Sequence, residues 1–576
     1  MSKAAFWIGS VILLVAAPML HAEPWQFKEE FLPHLVKAVP TILGQQDKKT
    51  GRFGTGIWIV TDQNGMYPLA AAWSIKHPNN PHYHSKEVLD AVMAAGDALI
   101  ADADAKGQWE FRKKDGSTWG QIWMPWTYSR WVRAYGLIKD GMPKDRREKW
   151  EKALVLGYTG IAANEFAKVH NIPTHHAMGL YIAGKALNRP KWCEQASAFM
   201  KKVVETQDPA GFWSENKGPV VQYDFVYVDA LGTYYAQSGD KTVLSALEKA
   251  ATFHANFTYP DGSDVETIDE RNGYHKRVTM PNVGFTFSAQ GRGYIKQQVE
   301  RRDDKGPLSA DLVASYLLYG QEGDASPAPG SKASHQFFLG KNDAMVRRQG
   351  PWFACLSAYT AEVPTSRWIQ DRQNFISLYH DKAGVFLGGG NTKLQPLWST
   401  FTIGDVSLLK HKAGDESPNF TPPKGIVHVP TSATLDPQTA SLILDYAGTA
   451  CAVQVDLSNS DKARVTYVLA SKPAQHVEAH VTLIPRMKTA WKTASGKSGK
   501  LGDEPFTLAP GEVGEWIEHH GVRITLPPTA SVTWPVLPHN PYTKDGHAEP
   551  SEGRIVITLP FAPDALKHEL TIAPAE

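Results

Sequence analysis

Two changes of pattern along this chain predict a multidomain α and β protein, with an N-terminal (α/α) toroid of helical hairpins followed by an antiparallel β-sandwich. From Glu29 to about Gly320 apolar residues recur at helical spacing, with short breaks of Gly, Pro or Asp-Gly. Beyond a Gly/Pro/Ser-rich stretch they recur in short runs rich in Val, Ile, Thr and Tyr. The expected division is a signal peptide over 1–22, a toroid over 23–320, a linker over 321–336 and a sandwich over 337–576.

The first 22 residues carry one charge, Lys3, ahead of an apolar core, and end on the small residue Ala22. That is the pattern of a secretory signal, so a secreted or periplasmic location is expected. No later segment reaches roughly 18 uninterrupted apolar residues, so no membrane span is expected.

Helices are expected over Lys86 to Asp104, Trp123 to Ile138, Asp145 to Val169, Lys191 to Thr206, Phe225 to Gln237, Lys241 to Phe257 and Ser309 to Leu318. Breaks such as Lys139-Asp-Gly-Met-Pro143 and Ser238-Gly-Asp240 pair them into hairpins. No motif repeats among them, which favours a closed or partly closed toroid over a short-period solenoid. Strands are expected over Asn374 to Tyr379, Val385 to Leu387, Ala440 to Tyr446, Ala452 to Leu457, Ala463 to Leu469, His476 to Ile484, Gly521 to Leu526 and Gly553 to Leu559. Lys488 to Gly514 reads as an exposed hairpin or loop.

The 60 basic residues balance 59 acidic ones, which gives no field for nucleic acid or a membrane surface, so a charged ligand must be met by a local cluster. Cys193, Cys355 and Cys451 are too few and too scattered for a disulfide framework or a compact metal site. The 18 tryptophans and 20 tyrosines offer flat faces that stack on sugar rings. Trp126 and Arg130, within an aromatic and basic run, are candidate substrate contacts.

Three stretches concentrate chemistry. Val169-His-Asn-Ile-Pro-Thr-His-His brings Asn171, His175 and His176 to the start of an apolar helix, where Pro173 suits the first turn. Asp208 to Asp229 contains Glu215, Tyr223 and Tyr227, the two tyrosines one helical turn apart. Asp261 to Arg277 gathers Arg271, Tyr274, His275, Lys276 and Arg277 in one loop. His77, His82 and His84 lie close in sequence, but Pro78, Asn79, Asn80 and Pro81 set them in a loop without a recognised metal-ligand spacing.

With its domain order and these stretches, the chain resembles the heparinase II/III-like polysaccharide lyases and the related alginate lyases. The resemblance implies a catalytic set of Asn171, His175 or His176, Tyr223 or Tyr227, and a sandwich histidine, His380, in Asn374-Phe-Ile-Ser-Leu-Tyr-His-Asp. It further implies β-elimination on an acidic, uronate-containing polysaccharide; Arg271, Tyr274, His275, Glu215, Trp126 and Arg130 are expected around the substrate from their own charge, hydrogen-bonding groups and flat rings. No cofactor is expected to be required. The resemblance allows a divalent metal in the sandwich, although no clear ligand set stands out.

Elimination needs the uronate carboxylate neutralised so that the C5 proton becomes acidic, a base to remove that proton and an acid for the leaving oxygen. Tyr223 is the first candidate for proton transfer and a histidine the second; a phenol must have positive charge nearby to act as a base near neutrality. Two other readings stand beside this one. One is a glycoside hydrolase drawing two carboxylates from Glu215, Asp224, Asp229, Glu266 and Asp269. The other is a noncatalytic glycan-binding protein.

Overall fold

The structure, a computed structural model, describes residues 23–53, 63–112, 117–271, 278–302, 306–412 and 414–575. The expected signal peptide, and Tyr274, His275, Lys276 and Arg277, lie outside the described residues.

Eleven α-helices stand among the described residues: α1 (Phe27–Gln45), α2 (Met66–Ser74), α3 (Lys86–Asp102), α4 (Pro125–Ile138), α5 (Lys144–Asn164), α6 (Asn171–Ala186), α7 (Pro190–Glu205), α8 (Val221–Ser238), α9 (Leu244–Asn256), α10 (Ala289–Glu300) and α11 (Ala310–Tyr319). Their burial sorts them into two layers. In α7 only Ala196, Phe199, Met200 and Val203 are buried, the single stripe of an outer helix. In α6 nearly every residue from Asn171 to Gly184 is buried, as an inner helix requires.

The inner segments α2, α4, α6, α8, the 3-10 turn Val283–Phe287 and α11 each pack on the next, and α11 packs back on α2. The ring is therefore closed. Close approach depends on glycine at one joint: a Cβ on Gly232 of α8 would lie 2.3 Å from Cα of Gly284. Across the seam, Glu23–Trp25 pairs antiparallel with Gly323–Ala325. The expected linker thus carries a strand of the toroid, and the sandwich starts before residue 337, at Ser334, where the strand Ser334–Leu339 begins.

The second domain stacks an eleven-stranded sheet on a nine-stranded one, with antiparallel pairing throughout. Lys488 to Gly514 contributes a hairpin, Ala490–Thr493 with Ser498–Lys500, at one edge. Strands Trp352–Ser357 and Ile376–His380, and the Ala344 to Val346 half of the strand Ala344–Gln349, are buried on both faces. Met345, Trp352, Ala354, Leu356, Ile376 and Leu378 enter the core between the sheets. Ala344, Val346, Phe353, Cys355 and Tyr379 pack against Phe212, Phe253, Phe257, Tyr259 and Ile268 of the helical domain. This second apolar layer joins the domains, and Tyr259 Oη adds a hydrogen bond to Ser377 Oγ at 2.6 Å.

Candidate active site

Parallel packing of α6 beside α8, with Tyr181 edge-on to Tyr234 at 5.0 Å, brings the N-termini of the inner helices to one rim. Asn171 is the first residue of α6 and is buried. His170, just before it, is exposed at the surface in an extended conformation; partial desolvation of its imidazole by the surrounding chain lowers the pKa, against a hydrogen bond to Asn171 that raises it. His170 adjoins Asn171 in the sequence and stands beside it at the helix start, although the expected site residues there were Asn171, His175 and His176. The signal stood in the sequence.

The two expected histidines lie deeper. His176 is fully buried, and desolvation brings its pKa down to about 3. It belongs to the packing of α6 and does not face the rim. His175 is 4% exposed, lies edge-on to Trp126 at 4.9 Å and meets Ser129 Oγ through Nε2 at 2.8 Å. Burial, followed by Arg130 and Arg133, holds its pKa well below the usual value.

Tyr223 lies in the first turn of α8, half-buried, with the Arg271 guanidinium 5.0 Å from its ring centre. Burial raises its pKa, while the charge and hydrogen bond of Arg271 oppose the rise. Glu215, half-buried, is raised by burial and lowered by Arg271. Tyr227 stacks flat on Trp213 at 4.9 Å and 5° and is buried in the helical core. One turn of helix separates the two tyrosines, and only Tyr223 reaches the rim.

His380 does not reach it. Period two along Ile376–His380 puts His380 on the face of Ile376 and Leu378, against Trp352 at 4.4 Å in the core between the sheets, whereas Ser377 and Tyr379 face the helical domain. The sandwich instead sends Arg372 to the interface. Its Nη1 donates to the Ile268 carbonyl at 2.6 Å, and its Nη2 lies 3.9 Å from Glu270, with the two side chains 3% and 1% exposed. Glu270 in turn accepts from Asn216 Nδ2 and Lys217 N, each at 3.0 Å. Asp269 accepts from Val221 N at 3.0 Å and Arg271 N at 2.7 Å. These buried carboxylates fix the segment before α8 and the backbone of Arg271, so they determine where Tyr223 and Arg271 meet. Gly218, at φ +152°, passes so close that a Cβ would lie 2.7 Å from Arg372 Nη2.

Glu266 accepts from Gly389 N at 3.1 Å at the same seam, and desolvation raises its pKa from 4.5 to about 7. Below pH 4.5 both folded and unfolded chains hold this proton; between 4.5 and 7 only the folded chain keeps it, so this group makes stability fall as pH rises through that window. Glu266→Gln is expected to flatten the decline of thermal midpoint between pH 5 and pH 8; a decline as steep as in the parent protein excludes Glu266 as its source.

Toward the ring axis lies a cavity of about 230 Å³ lined by Trp126, Arg130, His175, Phe225, Val226, Asp229, Asn282, Ser309, Asp311, Leu312 and Ser315. Arg130 holds both Asp311 oxygens, at 2.6 and 2.7 Å. Trp126 and Arg130 thus join His175 at this cavity, while Glu215, Tyr223 and Arg271 group beside it at the rim.

The three histidines close in sequence each contact a different part of the helical domain. His77 contacts Glu29, His82 contacts the Val36 carbonyl, and His84 stacks between Trp73 and Tyr83. Among the described residues no group of three or more His, Cys, Asp or Glu is placed to hold a metal ion, and the three cysteines are free thiols.

No protein-family model matches the chain, and no curated protein sequence matches it. Solved structures do. The chain is similar to heparinase III with a TM-score of 0.52 and 12% identity over 90% of this chain and 76% of that one. A chondroitin AC lyase from Streptomyces coelicolor A3, solved with chondroitin sulphate, gives 0.53 and 13% over 99% and 81%. A Paenibacillus xanthan lyase gives 0.57 and 11% over 96% of this chain, which spans 58% of the length of that enzyme. At such identities the likeness shows the fold: this chain has the helical-toroid-plus-sandwich fold of the heparinase-like polysaccharide lyases.

Proposed function

We propose that this chain is an exported polysaccharide lyase that cleaves a uronate-containing acidic polysaccharide by β-elimination. The observation that carries the reading is the Tyr223 phenol beside the Arg271 guanidinium at a rim where Asn171 opens the neighbouring helix. The Asn171 amide and Arg271 bind the uronate carboxylate and stabilise the charge that spreads into it as the C5 proton leaves. Tyr223, as phenolate, takes that proton; the C5–H electrons form the C4–C5 double bond, the C4–O4 bond breaks, and the new Tyr223 phenol returns the proton to O4. His170 is the alternative base. No metal or organic cofactor enters this scheme.

Fold likeness to lyases for heparin, chondroitin and xanthan supports an acidic polymer as substrate. Carboxylate placement disfavours hydrolysis, which needs two working carboxylates. Asp224 accepts from Trp213 N, Asp269 holds two backbone amides, Glu266 is taken up at the domain seam and Asp311 is bound to Arg130, which leaves Asp229 at the cavity and Glu215 outside its lining, under the charge of Arg271 at the rim. A panel of acidic polysaccharides, read by ultraviolet absorbance and product mass, tests the assignment. Products carrying a 4,5-unsaturated uronate are expected; cut chains with only saturated ends, which have gained water, would reject elimination.

A further inference from the structure

Buried charge gathers at one place in the sandwich that the proposed chemistry does not use. Lys393 is 1% exposed. Its ammonium donates to Asp371 Oδ1 at 2.9 Å and to the Pro364 carbonyl at 2.6 Å, and lies 5.0 Å from the centre of the Phe420 ring. Two oxygens and a ring face thus meet the three hydrogens of the ammonium. The other oxygen of Asp371 meets His428 Nε2 at 3.0 Å, and both residues are buried. A carboxylate, a backbone carbonyl and an imidazole are groups that a divalent ion would also use. Here the cation among them belongs to the chain, and a protonated amine has no lone pair to offer a metal. The residues at this place therefore do not fit the divalent ion that the sequence resemblance allows in the sandwich.

What the ammonium does follows from where its partners lie. Pro364 and Asp371 are the two ends of one loop, so Lys393 bridges the base of that loop. Inside the loop, Arg367 donates to the Thr543 carbonyl and the Trp368 ring lies 6.0 Å from that of Tyr542. Tyr542 stands near enough to the rim to raise the Tyr223 phenol, after burial has done so. At the end of the loop Gln370 N donates to the Glu270 carbonyl at 3.2 Å, just before the Arg372 that faces the Glu270 carboxylate. The residue before Lys393 ties the same parts together. The Thr392 carbonyl accepts from Asp371 N at 3.0 Å, and its hydroxyl accepts from His539 N, at the root of the Tyr542 loop, at 3.1 Å.

We infer that Lys393 is a positioning residue that acts as a built-in structural cation: its ammonium clasps the base of the 364–371 loop, as a metal ion would, and so holds Trp368 and Arg372 at the sandwich side of the rim without a divalent ion. Global stability does not account for such a pair. Replacing a buried ion pair as a whole is often neutral, whereas removing one partner leaves the other as an uncompensated buried charge. The effect of the clasp is local, on where one loop sits, and that separates it from ordinary packing.

Trypsin reads that effect, because the 364–371 loop contains a single basic residue, Arg367, and is cut after it when the loop opens. The parent protein is compared with Lys393→Met and with the double variant Lys393→Met, Asp371→Asn, the cut being identified by fragment mass. The single variant strands the Asp371 charge and should lose several degrees of thermal midpoint. The double variant removes both charges, so its midpoint should return toward that of the parent, while the Pro364 carbonyl still lacks its donor. Both variants are expected to be cut after Arg367 at least about tenfold faster than the parent, as the loss of a hydrogen bond from a charged group predicts, with the rates at other basic residues unchanged. A chelator is expected to leave the parental rate as it is. Cutting of the double variant at the parental rate overturns the inference, and so does faster cutting at all basic residues alike. A chelator that speeds the parental cut after Arg367 also overturns it, since a metal would then hold the loop. Should the single variant not fold, the double variant and the chelator decide the matter.

Discussion

Tyr223→Phe is expected to lower kcat by about 10²–10⁴, the usual contribution of a positioned proton-transfer group. The substitution removes one oxygen from a half-buried ring whose polar contact is Arg271, so the thermal midpoint should hardly move. Arg271→Ala supplies the second arm. The guanidinium opposes the burial that raises the phenol, so its loss pushes the Tyr223 pKa further up and moves the rising limb of the pH–rate profile to higher pH. Arg271→Lys should restore part of that shift, because a point charge replaces the planar one. Full turnover by Tyr223→Phe, or an unmoved profile in Arg271→Ala, would assign the base elsewhere, with His170 the first residue to substitute.

Arg372→Ala is expected to destabilise the protein by about 3–5 kcal/mol, the cost of leaving one partner of a buried ion pair uncompensated. Glu270 stays buried after the change and keeps only the neutral donors Asn216 and Lys217 N. The double variant Arg372→Ala with Glu270→Gln should recover stability relative to the single one, since it removes the orphaned charge. Activity follows the same network, because Glu270 and Asp269 hold the segment that leads into Tyr223. A thermal midpoint equal to that of the parent would show that water reaches Glu270 and that the interface does not depend on this pair.

The helical half was legible because its outer helices are one-sided. Lys86–Asp102, Leu244–Asn256 and Pro190–Glu205 all end within a few residues of the expected limits. Met66–Ser74 was not seen, since Met-Tyr-Pro-Leu-Ala-Ala-Ala-Trp is buried on every side and has no polar face to mark a period. The same reason hid Trp352–Ser357, a strand with both faces covered.

Double burial also explains His380. Alternation divides its strand into two sets, but both are apolar, and sequence alone does not say which set meets the helices. Tyr223 and Tyr227 posed the same choice, and Trp213, the ring that covers Tyr227, lies outside the helix that carries both. Asn171 was readable from its place at a helix start. The ties among Glu270, Arg372 and Asn216 span more than 50 residues at their shortest and left no local trace.

The closed ring has a consequence for how this chain tolerates damage. A linear array of helical hairpins ends in capping units with polar outer faces; a ring has no ends and needs none. The apolar flank of α1 and α2 is covered by α11, and the strand Glu23–Trp25 by Gly323–Ala325. Deleting any one hairpin therefore exposes two sticky flanks, one on each side of the gap, and the simplest way to cover both is with another molecule in the same condition. A shortened chain should assemble head to tail, whereas the intact one satisfies itself.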